Sequence, residues 1–94
     1  MSDAEIEVLI VEDDQFNVRL LTDVCKSGGY ASRVAMDGIE ALEAISEKVP
    51  DLVLLDIMIP RLNGFGVLAQ LRGAEQTRHL PIILVSAIQD DAAR

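Results

Sequence analysis

The sequence predicts an α/β fold, a doubly wound parallel sheet built from alternating strands and helices. Three observations carry that expectation. Short apolar runs without polar alternation, Val8–Val11, Leu52–Leu55 and Ile82–Val85, have the pattern of strands covered on both faces. The segments between them change to the apolar period of helices. Half of the 94 residues are hydrophobic but only 3% are aromatic, so the core must be aliphatic, as buried parallel sheets are. Alternation of this kind implies right-handed crossovers with helices on both sides of the sheet.

The elements follow in order. After strand one, Asp14 can cap a helix whose expected apolar face is Phe16, Leu20, Leu21, Val24 and Cys25, and Gly28-Gly29 ends it. Ala31–Ala35, interrupted by Ser32 and Arg33, suits an edge strand. Asp37 followed by Glu40 reads as a capping-box variant for a second helix, with Leu42 and Ile45 inward and Pro50 beyond its last turn. A third helix is expected from about Phe65 to Arg72, with Val67, Leu68 and Leu71 inward and Asn63-Gly64 as the turn before it. Asp90-Asp91-Ala92 reads as the start of a fourth. The order is β-α-β-α-β-α-β, without repeats or linkers, so residues 1–94 are expected to form one folding unit.

A net charge of −8 argues against nucleic-acid binding by this segment. The single cysteine, Cys25, is expected to be a small buried hydrophobe in a reducing compartment. The first residues are acidic where a signal peptide would be basic, and no apolar run approaches the ~20 residues needed to span a bilayer. A cytoplasmic protein without membrane contact is therefore expected. One histidine and one cysteine cannot build a zinc centre, and His79, before Pro81, reads as a solvated loop residue.

In an open parallel sheet, functional groups gather beyond the carboxyl ends of the strands. Strand one is followed at once by Glu12, Asp13 and Asp14, strand three by Asp56, and strand four by Ser86-Ala87. Asp13 or Asp14 could serve only as a helix cap, and Ser86 alone would mean little. An acid directly after four apolar residues, as at Asp56, is harder to explain structurally. Two carboxylates about 4 Å apart repel by roughly 4 kcal/mol at an effective dielectric near 20. Such a cluster holds a proton or a cation, and hard oxygens with few protein ligands favour Mg²⁺, which accepts a phosphate as a further ligand. A divalent ion beside a carboxylate and a hydroxyl suits phosphoryl transfer.

Three blocks resemble the receiver domain of two-component response regulators: Val8-Leu9-Ile10-Val11-Glu12-Asp13-Asp14, then Asp51–Pro60 continuing into Asn63-Gly64, then Pro81–Ala87. The resemblance implies a flavodoxin-like (CheY-like) sheet with strand order 2-1-3-4, residues 1–94 being the N-terminal three quarters of the domain. It implies that Asp56 accepts a phosphoryl group from a histidine kinase or phosphotransfer protein. Asp13, Asp56 and the backbone carbonyl of Met58 would ligate Mg²⁺, Glu12 would act through a water, and Ser86 would hydrogen-bond the phosphoryl group as a switch residue. The module would catalyse only its own phosphorylation and dephosphorylation rather than act as an enzyme.

Family members continue into a fifth strand ending in lysine and a last helix, and this sequence stops at Arg94. The expectation is a fragment of a longer regulator, with an output domain beyond Arg94. If the chain instead ends there, the edge of strand four is expected to dimerise. The alternative function is a receiver-like protein-interaction module that is not phosphorylated. A hydrolase with an aspartyl-phosphate intermediate would need an acid two residues after the nucleophile, where Met58 stands. A flavin or nucleotide binder would need a phosphate loop after strand one, and none is present.

Overall fold

The computed structural model describes residues 5–85, which form β1 (Glu7–Val11), α1 (Gln15–Ser27), β2 (Ala31–Ala35), α2 (Gly38–Glu47), β3 (Leu52–Leu55), α3 (Gly64–Gly73) and β4 (Ile82–Leu84). The four strands are parallel and lie in the order β2-β1-β3-β4, the flavodoxin-like order that the resemblance implies. Ser86 and Asp90-Asp91-Ala92 lie outside the described residues.

Alternate residues of the central strands face opposite layers, as the pleat requires. Leu9, Val11, Val53 and Leu55 pack with Ala41 and Ile45 of α2 and Val67 and Leu71 of α3 in the larger core. On the other side Val8 and Ile10 meet Cys25 and Leu21 of α1, with Leu52 and Leu54 beside them. Cys25 is buried, and that burial raises its thiol pKa, consistent with a packing role.

Each helix begins on a side-chain cap. Asp14 accepts from the Asn17 N–H at 3.0 Å, which resolves which of the paired acids caps α1. Asp37 accepts from the Glu40 N–H at 2.8 Å, and Glu40 reaches back to the Met36 N–H at 2.7 Å, one residue further out than in the usual capping box. Asn63, expected as a turn residue, is the N-cap of α3 and accepts from the Gly66 N–H at 3.0 Å. Two arginines close the opposite ends. Arg33 of β2 donates to the Ala44 and Lys48 carbonyls at the end of α2. Arg72 donates to the carbonyls of Arg78 and Leu80, tying α3 to the loop that leads into β4.

The apolar face of α1 differs from expectation. The buried line is Asn17 and Cys25, with Leu21 partly covered between them, whereas Phe16, Leu20 and Val24 are exposed, Phe16 by 75%. The apolar arc of this helix is wider than one sheet face can cover. The two stripes are offset by one residue, about 100° around the axis, so seating one against the sheet turns the other outward.

Leu9→Ala is expected to lower unfolding free energy by about 2–5 kcal/mol. Phe16→Ala, which removes more apolar atoms, should change it by no more than about 0.5 kcal/mol. Urea unfolding of the two variants checks the assignment; equal losses would mean that Phe16 faces the core.

Candidate functional site

Parallel register brings the acids together. Val11 stands opposite Ala35 on one side and Leu55 on the other. The Glu12 N–H donates to the Ala35 carbonyl and the Asp56 N–H to the Val11 carbonyl, each at 3.0 Å, so the residues after β1 and β3 leave the sheet at the same level. This lies where strand order reverses between β1 and β3, the crevice position for open parallel sheets. Leu55 also pairs with Leu84, and the Val85 N–H donates to the Leu55 carbonyl, which extends the β4 ladder one residue past the strand.

One carboxylate oxygen from each of Glu12, Asp13 and Asp56 lies within 4.8 Å of the others. Glu12 and Asp56 are fully buried, and Asp13 is exposed at the mouth. The Asp14 N–H donates to Glu12 Oε2 at 3.1 Å and the Met58 N–H to Asp56 Oδ1 at 3.0 Å, so backbone groups fix both buried side chains. Among the described residues, Glu12 Oε1 is buried without a hydrogen-bond partner. Burial, then the neighbouring Asp56 charge, pushes the Glu12 carboxyl up to about 7, against the lowering effect of the Asp14 N–H and the Asn17 side chain.

A buried, unpartnered carboxylate oxygen converging with two other acids fits a hard divalent cation better than it fits a self-contained hydrogen-bond network. Met58, exposed, stands two residues past the buried Asp56. An open depression of about 570 Å³ beside the acids is lined by Asp13, Met58, Pro60 and Phe65 among others. Of the residues singled out in the sequence, Glu12, Asp13, Asp56 and Met58 share this end of the sheet. Ser86 is outside the described residues.

Two features of the site were not anticipated. Asn17 is buried in α1 and acts on Glu12. Its signal was available: an amide in line with Leu21 and Cys25 is a polar group on a buried stripe. The second feature is the β3–α3 loop, residues 56–63. Arg61 has a φ of 70°, and the Leu62 N–H donates to the Pro60 carbonyl at 2.9 Å, forming a γ-turn of the strained kind. A non-glycine residue held there costs on the order of 1–3 kcal/mol. Arg61 Nε pairs with Asp37 Oδ2 at 3.2 Å, and no residue type in the loop signals that conformation.

The sequence pattern of the family described as "Response regulator receiver domain" matches residues 8–94. Among curated proteins, the polar-differentiation response regulator DivK of Brucella ovis is 40% identical over 80 residues, 85% of this chain and 65% of that protein; the chain thus spans just under two thirds of the relative. Among solved structures, the receiver domain of a Pseudomonas aeruginosa sensor histidine kinase superposes with a TM-score of 0.83 at 31% identity, covering 97% of this chain and 76% of that one. That structure has a magnesium ion coordinated in its active site cleft. The chemotaxis response regulator CheY4 of Vibrio cholerae gives 0.82 at 26% identity, covering 86% and 68%.

The raised Glu12 pKa makes stability fall with pH in the metal-free protein. Below about 4.5 the carboxyl is protonated in both folded and unfolded chains and contributes nothing. Between 4.5 and 7 the folded state holds the proton that the unfolded chain releases, so unfolding free energy declines, and above 7 the loss is complete. Its size is on the order of 3 kcal/mol. Urea titrations in chelator across this range should show the decline in the parent protein, and Glu12→Gln should flatten it.

Proposed function

Because the chain belongs to the response regulator receiver family, we propose that it is a phosphoacceptor module of two-component signalling, with Asp56 as the residue that takes the phosphoryl group. The observation that carries this reading is the convergence of Glu12, Asp13 and Asp56 at the carboxyl ends of β1 and β3. The Asp56 carboxylate attacks phosphorus of a phosphohistidine on a histidine kinase or phosphotransfer protein. An O–P bond forms, the N–P bond breaks, and the imidazole leaves with the electron pair and takes up a proton. Water later attacks phosphorus of the acyl phosphate, which releases inorganic phosphate and returns the carboxylate. The module turns over only itself.

The residues present fit Mg²⁺. Asp13, Asp56 and the Met58 backbone carbonyl would hold it, and Glu12 would act through a water. When bound, the ion neutralises charge on the transferring oxygens and relieves repulsion among the acids. The chain's own contribution is placement. The Met58 N–H donates to Asp56 Oδ1 and so restricts how the carboxylate can turn. Burial strips water from the nucleophile and strengthens every charge interaction around it. Ser86, by the family resemblance, would hydrogen-bond the phosphoryl group. The added charge, about −1.5 to −2, would be the signal. An output domain beyond Arg94 and a cytoplasmic location belong to the same reading; among the described residues no helix is long and apolar enough to cross a membrane.

Incubation with a small phosphodonor and Mg²⁺ should give an acid-stable, base-labile adduct of one phosphoryl group, absent in Asp56→Asn. No adduct in the parent protein, or an equal adduct in the variant, would refute the assignment. The alternative, an interaction module that is never phosphorylated, has no need to bind metal. Mg²⁺ binding that is lost in Asp13→Asn and weakened in Glu12→Gln is the expected result, measured by calorimetry.

A further inference from the structure

The loop carrying Met58 is held by two backbone close approaches and one ion pair. At its far end, the Gly64 N–H donates to the Ile57 carbonyl at 2.9 Å, and a Cβ on Gly64 would lie 2.6 Å from the Ile57 Cα. In its middle, the turn at Pro60–Leu62 rests on Gly38, the first residue of α2. The Gly38 N–H donates to the Pro60 carbonyl at 3.3 Å, and a Cβ on Gly38 would overlap the Leu62 carbonyl oxygen. The third restraint is the Arg61–Asp37 pair, made by the residue in the left-handed conformation and by the N-cap of α2. Asp37 thus has two tasks. It caps the helix through the Glu40 N–H, and it pulls the strained turn against the start of α2. Those two partners, the Glu40 N–H foremost, hold its carboxyl below the usual range.

We infer that Asp37 and Arg61 are positioning residues for the metal site: their ion pair holds the strained turn on Gly38 and so fixes the segment from Asp56 to Pro60 for Mg²⁺. Neither residue touches the ion. They act through the backbone, because a turn that costs energy relaxes when its restraint is removed, and the Met58 carbonyl and Asp56 lie in the segment that relaxes with it. The inference rests on the Mg²⁺ reading of Glu12, Asp13 and Asp56 given above.

Simple charge effects and positioning make different predictions, which gives the test its force. Asp37→Asn keeps an N-cap side chain and removes an acid; Arg61→Gln removes a cation and leaves a side chain, with its left-handed cost, in the turn. If only long-range charge mattered, the first would weaken Mg²⁺ binding and the second would tighten it. Positioning requires both to weaken it. Calorimetric titration of the full chain with magnesium chloride, at one pH and ionic strength, should show about a two- to fivefold loss in each variant, the size of one partly exposed ion pair. Arg61→Lys, which keeps the charge, should recover part of it. Urea midpoints in chelator should stay near the parent value for all three, which separates lost affinity from lost fold. Opposite shifts in the first two variants, or affinities equal to the parent's, would overturn the inference. A parent protein that binds no Mg²⁺ would instead overturn the reading of the acid cluster itself.

Discussion

Two parallel strands in a fixed register force three carboxylate groups into the same few ångströms. Val11 and Leu55 are cross-strand partners, so the residues that follow them cannot avoid one another. Burial and the repulsion this creates push the Glu12 carboxyl up, and among the described residues its buried Oε1 lacks a hydrogen-bond partner. The remainder of the molecule can be understood as what keeps that arrangement from relaxing. The aliphatic layers on both faces of the sheet fix the strands, and backbone N–H groups from Asp14 and Met58 fix the side chains. A site with these properties is poised for a cation because it is unfavourable without one.

Most of the frame was legible in the residues. β1 and β3 read correctly because strands buried on both faces need no polar alternation, and Asp56 stood out because an acid directly after such a run is hard to explain by structure alone. Strand order came from the family resemblance rather than from any pattern, since periodicity says which face is buried but not which strand is the neighbour. Helix α1 was misjudged for a physical reason. Phe16, Leu20 and Val24 are as apolar as Leu21 and Cys25, and composition cannot decide which of two adjacent stripes meets the sheet. Asn17 was the available clue, because its side chain acts on the buried Glu12.

What stayed hidden depends on contacts distant in sequence. Arg33 looked like a mark of an edge strand, yet its guanidinium closes the end of α2. Arg72 looked like a terminal helix residue, yet it holds the loop entering β4. Arg61 drew no expectation at all, yet it pairs with the N-cap of α2. Each is an arginine whose role is set by where carbonyls or a carboxylate happen to lie, and a long flexible cation fits many such settings equally well.

The approach of Gly38 to Leu62 has an unequal consequence for how this chain can vary. The atom crowding position 38 is a backbone carbonyl oxygen, and every residue type at position 62 carries one. Side-chain changes at 62 therefore leave the crowding as it is, while any side chain at 38 meets it. Position 62 is thus free to drift while position 38 is not, and covariation between them would be absent despite the contact. Their coupling is written in the chain path alone, so a natural relative with a larger residue at 38 must have rerouted the loop that follows Asp56.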